Sequence, residues 1–550
     1  MNDGKPCGRP VLQNIRVGEK YVCLMHIDYV GKDIIEFQAE FERVLEQAGT
    51  DAADFTRFVF PSASFAKRKF KAFCLFHGAK FNCDAEFSWA TFQRGADFRN
   101  ATFVRLADYH AATFSENVGF MSVAFAGAAD FRAAVFEKEV NFTFSRFAGD
   151  ALFGGTKFMQ TAAIGAALFS QDAWFMDANF AGRADFSSTE FARNVSFSGA
   201  ILAGDAVFQC IFRGTIIFER TRFAALVDYR QAHFFGAVVF REVDFRRDPR
   251  GRDFEPGPVF ANTKFAKPED VTFYATYLGQ ALFHLCDVSR VNFSAVTWRG
   301  RKRNGKRSVF EEVVNLSVPF AEALMPAEDS LDQRNYVLIA ELYQQLKRNY
   351  DDRRDYWTAG DFHYGEMEMK RLASHRKNHF LRWLKRRLGL VAWYKYASEY
   401  GESYRRPAWL LVLVLLTFGI LYPVAGLRYQ SPGESPAASA PAEPVDAYTY
   451  ARGMVSRQDL VNATRLAQPA ILTYRYPIPS AEQGHVGCWR ARLHLVGHSL
   501  LAAILVPLFQ RDLIYEPAYP CGRVLAVLEM TLTSTLFALF LLAVRRQFRR

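Results

Sequence analysis

Large aromatic residues return along this chain after five residues, then six, then five again. That rhythm excludes both ordinary elements. A half-buried strand alternates every two residues and an amphipathic helix repeats near 3.6, so neither sustains a five–six series over dozens of residues. The series runs Phe76, Phe81, Phe87, Phe92, Phe98, Phe103, Tyr109, Phe114, Phe120, Phe125 and Phe131 and continues to Phe208, with Ile164 and Leu202 standing in for rings. Upstream it extends through Phe70, Phe65, Phe60 and Phe55. Two places before each ring the residue is nearly always small or β-branched, as at Ala90, Ala96, Ala101, Ala107, Ala112, Val118 and Val123. Most of the 53 Phe belong to this pattern.

An internal repeat of this kind decides the architecture. Units of five or six residues cannot bury their own aromatic, so neighbouring units must stack. Four sides of five, six, five and six residues make a coil of 22. Ring then lies on ring from coil to coil, and the small residue points into what interior space is left. Polar residues such as Arg99, Asn100 and Arg105 face water. With coils at strand spacing, the stretch from Phe55 to Trp298 makes roughly eleven coils and a rod about 50 Å long. Each buried Phe contributes ~1.5–3 kcal/mol, so the stack needs neither metal nor disulfide.

The tripeptides ATF at Ala90–Phe92 and Ala101–Phe103, and ADF at Ala96–Phe98 and Ala129–Phe131, resemble those of pentapeptide-repeat proteins. The resemblance covers nearly half the chain and implies a right-handed quadrilateral β-helix. The sixth residue in every second unit departs from the family pattern and is expected to bulge alternate corners. Some members of that family mimic DNA toward gyrase, which demands an acidic surface. Between Phe55 and Gly300 there are 28 Lys and Arg against 24 Asp and Glu, which argues against mimicry and against a nucleic-acid partner.

The beat falters in three places. Phe208 to Phe218 spans ten residues with Phe212 between them, one short of the norm. After Phe245 the run RRDPRGRDFEPGPV reads as an insertion on the rod and a candidate contact loop. From Phe273 through Leu278, Phe283, Val288 and Phe293 to Trp298 the beat is a plain five.

Residues 1–54 form a cap, with Ile34 to Gln47 as an amphipathic helix over the rod's first coil. Ahead of it, Cys7, Cys23 and His26 make an incomplete zinc knuckle, three ligands where a closed structural site wants four. Otherwise no cofactor is implied. Cys74 and His77 flank a stacked ring and read as rod packing. The eight Cys are scattered, which suits a reducing compartment. The first thirty residues lack the cationic start and apolar run of a signal peptide.

Beyond the rod (55–300), Arg299 to Arg307 (RGRKRNGKR) reads as a basic linker opening a helical region, 301–375. There Ala340, Tyr343, Leu346 and Tyr350 share one face of a helical hairpin. His363, Glu366 and Glu368 read as charge on a solvated helix face rather than metal ligands. Residues 376–406 hold nine Lys and Arg against two Glu and fit an interfacial helix on anionic headgroups. Segments 407–427 and 524–544 are transmembrane helices by length and lack of charge, the second carrying Glu529. The loop between them, 428–491, balances six Lys and Arg up to Arg490 against five acids, whereas the flanks and the tail 545–550 are basic. The positive-inside rule then sets both termini in the cytoplasm of an inner-membrane protein. Segment 492–510 is too short and polar to span and reads as re-entrant or interfacial.

Helix, dipping segment, helix resembles two-span ion channels. The glycine-rich carbonyl filter of a potassium channel is missing from VPLFQRDLIYEPAYPCGR, which argues against selective potassium conduction. Glu529 and Asp512 are candidate pore residues, and Cys488 and Cys521 a candidate disulfide on the outer side. No nucleophile–base spacing or phosphate-cradling loop emerges, so the expectation is a non-enzymatic, membrane-tethered rod that engages a protein partner. The alternative is a degenerate channel or transporter with the rod as sensor or assembly domain, assembled as a homo-oligomer through the membrane helices.

Overall fold

The computed structural model describes residues 11–17, 20–29, 31–245, 257–301, 304–313, 335–373, 379–425, 427–429, 500–501, 503–504, 515–517 and 520–548. The chain divides into two compact units, Met1–Ala373 and Ser374–Arg550.

The first unit is a β-solenoid. Four parallel sheets of nine, ten, ten and eleven short strands form its sides, and each strand pairs with the strand one coil away. The register is the 22-residue period read from the sequence: Thr91 pairs with Thr113, Phe92 with Phe114 and Ala96 with Val118. Rings therefore lie on rings in four columns. Phe98 stacks on Phe120 at 5.0 Å and Phe81 on Phe103 at 4.5 Å, both nearly parallel. Neighbouring columns meet edge to face, as Phe120 meets Phe131 at 5.5 Å. This offset and T-shaped packing suits the quadrupole of each ring. The small residues Ala96, Ala101, Ala107 and Ala112 are fully buried beside the rings.

The five- and six-residue sides differ in kind. A five-residue side closes with a tight turn, in which Ala101 N–H donates to Phe98 O at 3.0 Å and the residue two beyond the ring takes a left-handed conformation. Asn100, Ala111, Ser122, Ala133 and Phe144 all do so, with φ from 53° to 60°. A six-residue side places its extra residue in a three-residue bend, Val104–Leu106 being one. Coils touch backbone to backbone there: a Cβ on Gly127 would stand 2.4 Å from Arg105 O.

The irregularities also fall where the spacing breaks. Phe191 pairs with Phe212, only twenty-one residues on, because Cys210 fills the shortened corner and its thiol donates to Phe186 O at 2.9 Å. After the excursion beyond Phe245, Tyr229 stacks on Phe260 at 4.8 Å, so the columns resume. In the last coil Phe273 pairs with Phe293, the twenty-residue step of a plain five-beat.

Both ends of the rod are covered. Helix α1 (Ile34–Ala48) starts at Asp33, whose side chain accepts from Ile35 and Glu36 N–H. It buries Phe37, Phe41 and Val44, and Phe41 stacks on Phe55 and Phe65. At the other end α2 (Tyr336–Asp352) and α3 (Tyr356–Leu372) form an antiparallel pair whose apolar face closes the last coil. Trp298 Nε1 donates to Tyr350 OH at 2.8 Å, and Asn349 Nδ2 donates to Val288 O and Val291 O.

Two readings of this region change. Arg299 to Arg307 is not a linker: strands Arg299–Gly300 and Arg307–Ser308 pair antiparallel. Arg301 is held by Glu312 at 2.5 Å and lies over the Tyr343 ring, and Arg307 pairs with Asp361. A basic run becomes a folded hairpin because each of these guanidinium groups meets a carboxylate. Likewise the His363, Glu366 and Glu368 face is not solvated. Glu366 is buried between α2 and α3, clasped by Lys347 at 3.3 Å and Lys370 at 2.6 Å.

The second unit is helical. The basic stretch 376–406 breaks at Gly389 into α4 (His379–Leu388) and α5 (Leu390–Ser398), and a turn leads on to α6 (Arg405–Ala425). It is two short helices rather than one, because Gly389 caps α5 and a left-handed pair, Glu399 and Tyr400, ends it. Helix α7 (Pro520–Phe548) packs antiparallel to α6, and its last turns carry the basic residues Arg545 and Arg546. Arg546 pairs with the buried Glu402 at 3.1 Å. Strands Leu427–Tyr429 and Tyr515–Pro517 pair across the far ends of the two helices. Helices α6 and α7 are long and apolar enough to cross a membrane.

Candidate functional site

The solenoid turns every large apolar side chain of its columns inward, so whatever the rod does is done by its outward rows. On one side these carry Arg–Asp pairs, each Arg two residues after its Asp: Arg99 with Asp97 at 2.7 Å, and Arg230 with Asp228 at 2.8 Å. Arg132 with Asp130 at 2.6 Å repeats the device on another side. In each, the Asp also accepts the N–H of the residue two beyond it, which fixes the turn. Burial opposes the carboxylate of Asp97, and the hydrogen bonds and charge of Arg99 outweigh it, holding its pKa below the usual range. These pairs are half-exposed and local, and they converge on no cleft. Large apolar groups stand out between them: Trp89 is 59% exposed, Phe144 62% and Met176 42%.

The N-terminal cap brings two of its three called metal ligands together. Cys23 Sγ lies 3.0 Å from His26 Nδ1, and His26 Nε2 lies 3.1 Å from Thr56 O. Cys7 lies outside the described residues. Among the described residues no group of three or more metal-binding side chains gathers. Beside the pair, Lys32 is buried and donates to Val59 O at 2.5 Å, and burial pushes its pKa down to about 8.

At the rod's other end sit ionisable groups that sequence reasoning passed over. Glu311 is fully buried and accepts Phe283 N–H at 2.5 Å; burial pushes its pKa up to about 7. His284, next along, is buried as well, and its pKa falls to about 4. The only sequence signal for either was a polar residue close to an aromatic of the beat. Hydrogen bonds led by His363, with Lys370 and Lys347, hold the Glu366 carboxyl well below its ordinary range.

In the second unit Glu529 is buried at the contact of α6 and α7, where Tyr422 OH donates to its Oε2 at 2.5 Å. Its Oε1 has no partner among the described residues. Asp512 and Cys488 lie outside the described residues, and Cys521 is exposed near the start of α7. Of the segment 492–510 only Leu500, Leu501, Ala503 and Ile504 are described; they are helical, and Ala503 packs with Phe418 and Tyr422. Near the other end of the helix pair, Trp383, Trp393, Tyr396 and Trp409 are all exposed.

Comparison with known proteins matches residues 166–209 to the family profile of pentapeptide repeats, nine copies. No curated protein and no solved structure matches the chain. The profile falls on coils whose strands, bends and left-handed turns are continuous with those on either side. Residues 166–209 are similar to pentapeptide repeats, and the β-solenoid continues their strand and turn pattern on either side.

Proposed function

We propose that this chain is a non-enzymatic, membrane-anchored interaction protein that presents its solenoid to a protein partner in the cytoplasm. The observation that carries the proposal is the pairing of a rigid, capped rod with two helices long and apolar enough to span a bilayer. The rod's outward rows mix guanidinium–carboxylate pairs with isolated exposed rings, a composition suited to recognition rather than chemistry. Tyrosine and tryptophan at the lipid–water boundary anchor membrane proteins, and the exposed aromatics of α4, α5 and α6 fit that role. Arg405, Arg406, Arg545 and Arg546 gather at one end of the antiparallel helix pair, the end the positive-inside rule assigns to the cytoplasm. Lys385, Arg386 and Arg387 of α4 would rest on anionic headgroups.

A photo-crosslinking residue at position 144 in intact cells is expected to give a discrete protein adduct. Absence of adducts there and at positions 89 and 176 would remove the interaction reading. Thiol labelling of Cys488 from outside intact cells checks the orientation; no external labelling would reverse it. Ion flux in liposomes separates tether from channel. The tether predicts an electrically silent bilayer, and currents abolished by Glu529→Gln would establish the channel instead.

A further inference from the structure

We propose that one side of the solenoid, the eleven-stranded sheet, joins two copies of this chain side by side with their rods parallel. On that side the residue just before each ring faces outward, and the strand pairing sets these residues in one row, coil on coil. From Leu152 the row reads Leu152, Trp174, Ser196, Ile217, Val239 and Thr272, with no charge. On the other three sides a charged residue breaks the same row after at most three coils, as Asp185, Arg146 and Lys157 do. Met176 stands out beside the uncharged row, 42% exposed. A long uncharged strip with exposed apolar groups on a rod of otherwise mixed charge marks a contact surface.

A glycine on the same side points to a second copy as the occupant. Gly154 stands just after the ring that Leu152 precedes, in the second outward row. A Cβ there would meet Arg132 Cγ at 3.6 Å and Met176 O at 3.7 Å, ordinary contacts, so the fold itself does not require the missing side chain. A two-fold axis along the rod lays the first row of one copy against the second row of the other, coil for coil. Leu152 then fills the space at Gly154 of the second copy, and Trp174 meets Met176. One coil earlier Asp130 lies opposite Arg132 of the second copy, a pairing these two groups already make within one chain at 2.6 Å. The face is about 50 Å long and about 10 Å wide, so each copy covers ~500 Å², short of the ~800 Å² of a stable dimer in solution. Pairing therefore rests on the membrane anchor proposed above, since two copies held in one bilayer meet at a raised effective concentration. Parallel rods send both chains on to their membrane helices from the same end.

The test co-expresses two differently tagged full chains, one with Leu152→Cys and the other with Gly154→Cys, and oxidises isolated membranes. A disulfide joining the two tags is expected, and the parent pair with its native cysteines is the blank. Leu152→Cys with Glu219→Cys, three coils and ~14 Å away along the rod, is expected to give none. Met176→Glu in both chains sets a carboxylate against Trp174 of the second copy and is expected to cut the Leu152–Gly154 product at least tenfold. Met176 is exposed, so Tm should hold, which separates lost pairing from lost folding. No joined product, equal product with Glu219→Cys, a yield unmoved by Met176→Glu, or adducts with another protein alone would each overturn the pairing. Flotation of the same membranes after carbonate washing reads the anchor separately. Chain that floats without cross-linking refutes the pairing and spares the anchor. Chain that leaves the membrane refutes the anchor, and the same cross-link in concentrated purified protein then decides the pairing.

Discussion

Glu311, in the turn after the hairpin, lies against His284 of the last coil, and burial shifts the two in opposite senses. Glu311 has its pKa raised from 4.5 to about 7, so the folded state holds the extra proton between those values and stability falls as pH rises through them. His284 has its pKa lowered from 6.5 to about 4, so the unfolded state holds the extra proton and stability rises with pH across that span. Between about 4.5 and 6.5 the two trends oppose each other. Glu311→Gln should unmask the histidine, and amide-exchange protection of residues 283–293, corrected for intrinsic rate, should climb from pH 4 to 6.5 and then level off. His284→Gln should unmask the acid, and protection should fall from pH 4.5 to 7. Either trend should amount to at least about tenfold, the equivalent of one pKa unit. Flat profiles in both variants would refute the assignment. Glycine makes a second case. Gly127→Ala drives a Cβ into the backbone of the coil below, a clash expected to destabilise by about 1–3 kcal/mol. Gly155→Ala has open space around it at φ 66° and carries only the left-handed penalty, about 1 kcal/mol, as Ala111 and Ala133 already do. Thermal unfolding should rank the two in that order.

At the scale of elements, the helical hairpin holds the solenoid's open end through polar contacts as much as rings. Asn349 on α2 satisfies two carbonyls of the last coil, and Arg353 donates to Val291 O at 2.8 Å and to Asn292 Oδ1. Asn349→Leu keeps the side-chain volume but strands Val288 O, while Val291 O keeps Arg353, a loss of about 1–3 kcal/mol for the buried group left unpaired. Limited proteolysis should then cut within 285–300 faster than in the native chain, with sites in the middle coils unchanged. Equal cleavage rates would show that ring packing alone, through Trp298, Tyr350 and Phe362, holds the cap. In the second unit Glu529 is the comparable contact. Its bond to Tyr422 joins α6 to α7, so a residue expected to line a pore also serves as a helix–helix clasp.

At the scale of the molecule, stability in a solenoid is a sum over coils and the interfaces between them. Removing one whole coil, residues 118–139, joins Asn117 to Val140, which belong to the same side one coil apart. The shortened protein is expected to fold and to melt within a few degrees of the parent. Removing three sides, residues 118–133, would set bends on left-handed turns and is expected to lower Tm steeply. Equal melting of the two deletions would show that the alternation of corner types is immaterial.

The solenoid was legible in the sequence because its order is one-dimensional. A ring every five or six residues has one way to be buried, and the same spacing gives the 22-residue register, the four sides and the place of each slip at Cys210, after Phe245 and at Phe273. The apolar helices were legible for a related reason, since length and lack of charge are local properties. What local pattern could not carry was any contact between residues far apart in the chain. Nothing around Arg299 to Arg307 announces that Glu312 and Asp361 will fold a basic run into a hairpin. Nothing around Glu366 announces that Lys347 will bury it, or around Glu402 that Arg546 will reach it. The charge of those residues is written in the sequence, but whether each charge meets water or a partner depends on which distant element packs against it, and only the tertiary structure decides that.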